Sequence, residues 1–491
     1  MICLSKVDRT GRTGTFQVKK RSGWDRGLKV EASGKGLVGH AGAVLLHRTA
    51  DRVGLVTVLR GGLGVSPWML DRANALVGLV VGIALGARSV RQAELLARHH
   101  AALLGEGVSD STLWRALGEI DDAARARIAK ARAMVRERVW DLLAAREQGF
   151  PWLVILGREL TGWTVIDLDA TVITASSKKQ GAAGTYKGSY GFHPLAAWCA
   201  NTFETLAMTL RPGNAGSNTA SDHREVIAAA FAQVPRGYRR KILIRIDGAG
   251  ASHALIEHLL KLNTRRRKVA FTSGFPITAV DEQAIAELPE HAWGPSFEQD
   301  GSLDPHAQVA ELTGLWLREG WPDGLRYLVR RVKPSRRHAK KLTDFENKTG
   351  WRYQITVTSI ENLGRQAAGS HHVFFLDALH RQHAAVEDRV RTEKATGLRN
   401  LPFKHFKRNQ AWMLAANIAS DLLAYLQLLG LADEPDLTKA EPEALRATLL
   451  HIPARIVAHA RRRILKIEAT WPWAKAFQTC WQRLSALPDP G

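Results

Sequence analysis

The spacing of apolar residues changes character at Trp163. Before it, over residues 39–148, apolar positions recur at helical intervals. Residues 88–99 read as one short helix. Residues 111–120 read as another, capped by Ser109 and Asp110, with Leu113 and Leu117 on one face. Gly105 and Gly107 supply the turn between them. Such a pair suits a helix-turn-helix and a plain helical bundle equally, because the motif is weakly specified by sequence.

Beyond Trp163 the runs favour strands. Residues 164–175, 189–200 and 204–210 are three candidates, the last closed by the turn Pro212-Gly213-Asn214. Residues 219–233 are helical. Residues 241–246 alternate basic side chains with Ile242, Ile244 and Ile246, the mark of a half-buried strand. A helix over 252–262 and a strand over 268–273 follow. This order of elements belongs to a mixed α/β sheet. Residues 276–365 break the rhythm with Pro, Gly and Trp and two strand-like runs, 326–332 and 352–359. They read as a β-rich insertion. Helices resume over 374–395, 407–429 and 444–465, and no internal repeat is visible.

Charge narrows the picture. The chain carries 69 Lys and Arg against 47 Asp and Glu, a formal net charge of +22. Such an excess attracts polyanions, DNA or RNA first, although an unrelated basic enzyme has the same balance. Eight cations crowd one segment of the insertion: Arg326, Arg330, Arg331, Lys333, Arg336, Arg337, Lys340 and Lys341. Trp316 and Trp321, just before it, suit stacking on a base or packing beneath the insertion. The three cysteines are far apart and form neither a disulfide framework nor a metal-ligand spacing, which points to a reducing cytoplasm. Residues 1–35 are basic, rich in Gly and Ser, and aperiodic, so they read as a mobile tail rather than a secretory signal. The apolar stretch 73–87 contains Asn74 and three glycines and falls short of the roughly 20 residues that span a bilayer, so no membrane anchor is expected.

Three acids stand out by position. Asp167 and Asp169 lie two apart inside an apolar strand and share a face, where an ionised carboxylate is costly unless paired or metal-bound. Asp247 ends another strand before Gly248-Ala249-Gly250, small residues that let a ligand approach the backbone. Carboxylates at strand ends of an α/β sheet suit Mg²⁺, and each alone suits a solvated strand end as well. Glu387 borders the buried face marked by Val386 and Val390 in a helix, where a lone Glu is ordinarily solvated.

Together the motifs are more specific. Leu168-Asp169-Ala170-Thr171-Val172-Ile173, Lys178-Lys-Gln-Gly-Ala182, Tyr190-Gly-Phe-His-Pro-Leu-Ala196 and Arg211-Pro-Gly-Asn-Ala-Gly-Ser-Asn218 occur in that order. Asp247-Gly-Ala-Gly-Ala251, Val386-Glu-Asp-Arg389, Thr396-Gly-Leu-Arg-Asn-Leu-Pro402 and Asn409-Gln-Ala-Trp412 follow. The chain from about Gly39 onward resembles the DDE transposases of bacterial insertion sequences, closely the insertion sequence 1380 family, transposase DDE domain group 1.

That resemblance implies an α/β fold: an RNase H-like catalytic core with a β-strand insertion, flanked by N-terminal and C-terminal helical regions. The implied division is a tail (1–35), a helical DNA-binding domain (36–150), the core's first part (151–275), the insertion (276–365), the core's second part (366–430) and a C-terminal helical region (431–491). It implies a catalytic triad of Asp169, rather than Asp167, with Asp247 and Glu387, holding two Mg²⁺ or Mn²⁺ ions that Asp169 bridges. A signature of Tyr, Arg, Glu and Lys that related transposases carry matches at Glu387 and Lys394, so Lys394 is expected to touch a phosphate near the cut. The signature's Tyr and Arg positions hold His380 and His383, and Arg381 or Arg391 stands nearby to replace the lost cation. His383, Arg391 and the eight insertion cations are the expected DNA contacts. The implied partners are transposon ends and target DNA, bound by a homodimer in the bacterial cytoplasm without a nucleotide cofactor. A nuclease that does not transfer strands, and a DNA-binding protein whose catalysis has decayed, are the alternatives.

Overall fold

Among the described residues, the helical periodicity ahead of Trp163 is carried chiefly by α1 (Ala43–Arg52), α2 (Leu55–Leu63), α3 (Arg72–Ala84), α4 (Val90–His99), α5 (Asp110–Gly118) and α6 (Asp122–Ala144), with a single helical turn at Ala101–Leu104 between α4 and α5. A short strand, β1 (Leu37–Val38), precedes them. Ser89 and Ser109 cap α4 and α5 by accepting the backbone N–H of Gln92 and Thr112. The structure, a computed structural model, describes residues 5–7, 13–15, 27–63, 71–217, 219–248, 250–315, 320–336 and 338–490. Most of the expected tail therefore lies outside the described residues. Within it, Ser5–Val7 pairs antiparallel with Thr13–Thr15.

The mixed sheet has nine strands. Its centre is β2 (Thr164–Ala170), β3 (Leu195–Cys199), β4 (Thr205–Thr209), β5 (Lys241–Ile246) and β6 (Lys268–Phe275). They lie in the order β4-β3-β2-β5-β6, with β3 antiparallel to both neighbours and β5 parallel to β2 and β6. This is the expected RNase H-like core. Helices α7 (Ala220–Gln233) and α8 (His253–Lys261) connect its later strands. Two expected strands are shorter than their sequence runs. The 164–175 run stops at Ala170, and Ile173–Thr174 leaves for a small sheet with Ala183–Gly184 and Tyr190–Phe192. The 189–200 run divides at His193-Pro194, since proline cannot donate to a ladder.

The insertion extends this sheet instead of standing apart. Strands β7 (Gly294–Phe297), β8 (Leu303–Glu311), β9 (Arg326–Val332) and β10 (Arg352–Thr358) continue it from β6 in the order β10-β9-β8-β7. The sequence hides β7 and β8 because Pro295 and Pro305 interrupt them, and the β7–β8 ladder shifts register next to Pro295.

The expected helix over 374–395 is three pieces: α9 (Val373–Arg381), a 3₁₀ turn (Gln382–Ala385) and α10 (Val386–Glu393). The tighter turn re-phases the faces, sending His383 inward and Glu387 outward. Beyond its first turn, helix α11 (Phe406–Gly430) is buried on nearly all sides as the core's central helix. It is long and apolar enough to cross a membrane, but its apolar window is 89% buried within the protein.

The expected helix over 444–465 is overturned. After a π-helical turn (Arg446–Leu450), the chain forms β11 (Ala454–His459) and β12 (Arg462–Ile467), an antiparallel hairpin. Pro453 stops the helix, and Ala460 and Arg461 both take positive φ, 47° and 64°, to turn the chain in two residues. β11 also pairs with β1, Ala454 opposite Val38 and Arg455 opposite Leu37, which joins the two ends of the chain. The last helix, α12 (Ala474–Ala486), packs on α1, and one apolar cluster runs from Val38 to Leu484.

A buried polar network ties α6 to the core. Arg136 bonds Glu204 at 2.7 Å and Asp421 at 3.1 Å, and Arg132 bonds Asp421 at 2.8 Å. Trp140 Nε1 and Tyr425 Oη each donate to Glu204 at 2.7 Å. Charges so deep are tolerated because every one is paired and hydrogen-bonded.

Candidate active site

β2 brings two acids to one sheet face, and their surroundings differ. Asp167 lies opposite Arg245 of β5 and accepts from its Nε and Nη2 at 2.6 and 2.7 Å. Both side chains are buried, and Arg245 also donates to the Leu379 carbonyl at 3.1 Å. The charge of Asp167 is thus neutralised by a forked pair inside the protein. Asp169, at the strand's open end, enters no ion pair among the described residues. Its Oδ1 accepts the Ala170 N–H at 2.7 Å. Burial and then Asp247 push its pKa up to about 7; Glu387 adds to the rise, and the Ala170 N–H and Lys187 oppose it.

Asp247 follows the last residue of β5 and accepts the Gly250 N–H on Oδ1 at 3.0 Å. Only glycine fits at 250: a Cβ there would lie 2.8 Å from Ile246 Cγ2 and 3.0 Å from the His223 ring. Asp169 and Asp247 line one cavity of about 440 Å³ with Tyr186, His193, Asn214 and His223. His193 and His223 are buried, and each bonds a carbonyl through Nδ1, that of Ala215 at 2.9 Å and of Thr219 at 3.0 Å. Burial lowers both pKa values, so the two rings are neutral walls of the cavity.

Glu387 does not line that cavity. It stands exposed in the first turn of α10, near enough for its charge to raise Asp169. Among the described residues it enters no ion pair, and no trio of His, Cys, Asp and Glu is gathered as a finished metal site. Three carboxylates with this disposition repel one another, and a proton on Asp169 or a cation relieves the repulsion. All the donors are oxygens, which suits a hard divalent ion, and the exposed Glu387 side chain is the one that must turn inward to join. Lys394 is half-buried; burial and Lys187 lower its pKa and Asp169 raises it, so it stands beside the acids.

The other expected DNA contacts separate into groups. His383 is only 7% exposed and bonds the Leu168 carbonyl at 3.1 Å. Burial lowers its pKa, so it is a neutral brace under β2 turned away from solvent. His380 is likewise turned in, 3.0 Å from Thr272 Oγ1, its pKa pushed down to about 3 by burial. Arg381 pairs with Asp377 at 2.9 Å, while Arg391 is exposed and pairs with Asp388. In the insertion, Arg326 pairs with Glu311 at 2.8 Å and Arg330 with Asp304 at 2.8 Å. Arg331 pairs with Glu290 and lies between the rings of Trp293 and Trp351, 4.2 and 4.7 Å from their centroids. Arg326 and Arg330 tie β9 to β8, Arg331 ties it to the 3₁₀ turn at Glu290–Ala292, and all three are turned away from solvent. Lys333, Arg336, Lys340 and Lys341 are exposed, and Arg337 lies outside the described residues. Trp321 packs edge-on against Phe275 at 4.9 Å, and Trp316 lies outside the described residues.

Sequence reasoning about single residues missed Lys187, His193 and His223. His193 was within reach, inside the quoted Tyr190–Ala196 motif, whereas nothing local marks Lys187 or His223 as neighbours of the acids.

A family model described as transposase DDE domain group 1 matches residues 20–489. No curated protein matches the sequence. Among solved structures, the cryo-EM structure of the piggyBac transposase synaptic complex with hairpin DNA is similar over 83% of this chain and 78% of that one, at 10% identity and a TM-score of 0.40.

Proposed function

The chain belongs to the transposase DDE domain group 1 family, and on that premise we propose that it excises and inserts a bacterial insertion sequence, of the 1380 kind, by a cut-and-paste route. It binds the element's terminal inverted repeats as a homodimer, in the bacterial cytoplasm and without a nucleotide cofactor. The observation that carries this reading is the contrast on β2. Asp167 is neutralised by Arg245, whereas Asp169 shares a cavity with Asp247 and feels the charge of Glu387.

In this reading Asp169, Asp247 and Glu387 would hold two Mg²⁺ or Mn²⁺ ions. When bound, such a pair activates a water or 3′-hydroxyl and stabilises the leaving oxygen at phosphorus. Asp169, poised near neutrality, gives up its proton as the site fills. Lys394 holds a phosphate beside the cut, and the exposed Lys333, Arg336, Lys340 and Lys341 follow the DNA backbone. The loss of Arg from the family signature, the one argument for decayed catalysis, loses weight because His383 is packed beneath β2.

The test is incubation of the full chain with duplex DNA carrying the element's own ends and Mg²⁺ or Mn²⁺. Cleavage at the ends and joining of pre-cut ends to a target plasmid are expected. Cleavage without joining makes the protein a nuclease. Binding without cleavage makes it a DNA-binding protein.

A further inference from the structure

Away from the acids, a dense run of cations lies on the β11–β12 hairpin. Residues 454–467 contain Arg455, Arg461, Arg462, Arg463 and Lys466 and no acid. Residues opposite each other in an antiparallel pair share a face. One face therefore carries Arg455 with Lys466, Val457 with Ile464, and His459 with Arg462. The other carries Ile456 with Leu465, Ala454 with Ile467, and Ala458 with Arg463. Ile456, Leu465 and Ile467 of that second face pack on the apolar core. Arg463 donates to the carbonyls of Ala102 and Leu103 at 3.0 and 2.9 Å. The second face is thus the anchored one. On the first, Arg455, Arg462 and Lys466 are exposed, as is Arg461 at the tip, and among the described residues none of the four is in an ion pair.

We propose that this hairpin is a DNA-gripping ribbon that lies across the major groove of duplex DNA, with Arg455 and Lys466 on one phosphate strand and Arg461 and Arg462 on the other. The inference rests on the DNA reading given above and adds a contact surface that the insertion does not supply. Spacing favours a duplex over an unstructured polyanion. The two cationic ends of the outer face are four residues apart, roughly 13 Å at the rise of a strand. The major groove is about 12 Å wide and admits a two-stranded ribbon. Between the cations sits an apolar strip, Val457 and the 43%-exposed Ile464, aimed where base edges would lie. The tip adds a second indication. A two-residue turn with positive φ at both positions is ordinarily built from Asn and Gly, yet Ala460 and Arg461 occupy it. The strain is tolerated where it holds an arginine outward. The base is held firmly by β1, and a Cβ on Gly36 would come within 2.5 Å of the Ile456 carbonyl oxygen.

The experiment measures binding of the full chain to a fluorescein-labelled 30-base-pair duplex of arbitrary sequence across a NaCl series. The variant replaces Arg455, Arg461, Arg462 and Lys466 by Gln; all four are exposed, so its melting temperature should match the parent's. Each lost phosphate contact reduces the slope of log affinity against log salt by about 0.9, so a slope shallower by about 3 to 4 is expected. If the fourfold variant is unstable, Arg462→Gln alone should lower the slope by about 0.9. A parent slope retained by a folded variant overturns the ribbon and leaves the transposase reading intact. A parent that binds the duplex without salt dependence overturns both. An A-form RNA duplex that competes as well as DNA overturns the groove geometry, since its major groove is too narrow for side chains to read.

Discussion

Two strand-borne clusters of cations, the β9 run and the β11–β12 hairpin, look alike in sequence and differ in the folded chain. Arg326, Arg330 and Arg331 face Glu311, Asp304 and Glu290 on neighbouring segments, so their charge is cancelled where it arises. On the outer face of the hairpin, Arg455, Arg462 and Lys466 have no acid opposite. The same contrast divides the acids of β2, where Asp167 is paired and Asp169 is not. A paired charge is a structural part, and its removal is felt as instability. An unpaired one interacts with whatever arrives, and its removal is felt in binding or rate.

The largest effect should fall on the unpaired acids. Asp169→Ala, Asp247→Ala and Glu387→Ala should each lower the cleavage rate by several orders of magnitude while end binding and melting temperature hold, because metal-assisted charge stabilisation is worth several kcal/mol. Gel-based cleavage assays check this, and an active Asp169→Ala beside a well-folded but inactive Asp167→Ala would reverse the assignment on β2.

Next come the paired charges. Arg245→Met strands Asp167, and Arg330→Met strands Asp304; breaking such buried pairs costs about 3–5 kcal/mol. Denaturant unfolding should register the loss, whereas the salt slope of DNA binding for Arg330→Met should stay at the parent value. A stable Arg330→Met protein with a shallower slope would erase the contrast between the two cation clusters.

A third measurement compares the clusters directly. Replacing the exposed Lys333, Arg336, Lys340 and Lys341 by Gln should lower the salt slope by about 0.9 for each that touches a phosphate. Additive losses from this set and the hairpin set would mean that one duplex spans both.

The smallest effect concerns an acid with incomplete compensation. Glu393 is buried beside Thr205, and burial, with Asp421 adding, pushes its pKa up to about 8. A carboxyl raised in the folded state contributes stability that is full below its unfolded pKa of 4.5 and is lost as pH rises through 8. Glu393→Gln should therefore flatten the fall in melting temperature over that window and raise it by a few degrees at the alkaline end. A mutant profile parallel to the parent's would mean that another group governs the window.

The sequence was most readable where one local pattern suffices. The alternation through Lys241–Ile246 fixes that strand and Asp247 at its end, and Arg326–Val332 was bounded correctly. It failed where the deciding partner is remote. Residues 454–467 satisfy a helical period about as well as a strand period, and what selects the strand is Pro453 together with pairing to Leu37 and Val38 at the other end of the chain. The cations of β9 looked available because Asp304 and Glu311 become their neighbours only through strand pairing, and Glu290 only through the 3₁₀ turn ahead of β7. The family signature marked the positions of His380 and His383, but not that the turn at Gln382–Ala385 points His383 into the core.

The β1–β11 pairing also has a bearing on how this protein is made. A ribosome adds roughly 5–20 residues each second, so the segment bearing Val38 waits about 20 to 80 seconds before Ala454 emerges to meet it. Through that interval α1 also lacks α12, its later cover. The segment bearing Leu37 and Val38 is thus among the last to be completed, and a product truncated before Ala454 has an apolar flank left open to proteases and to other nascent chains.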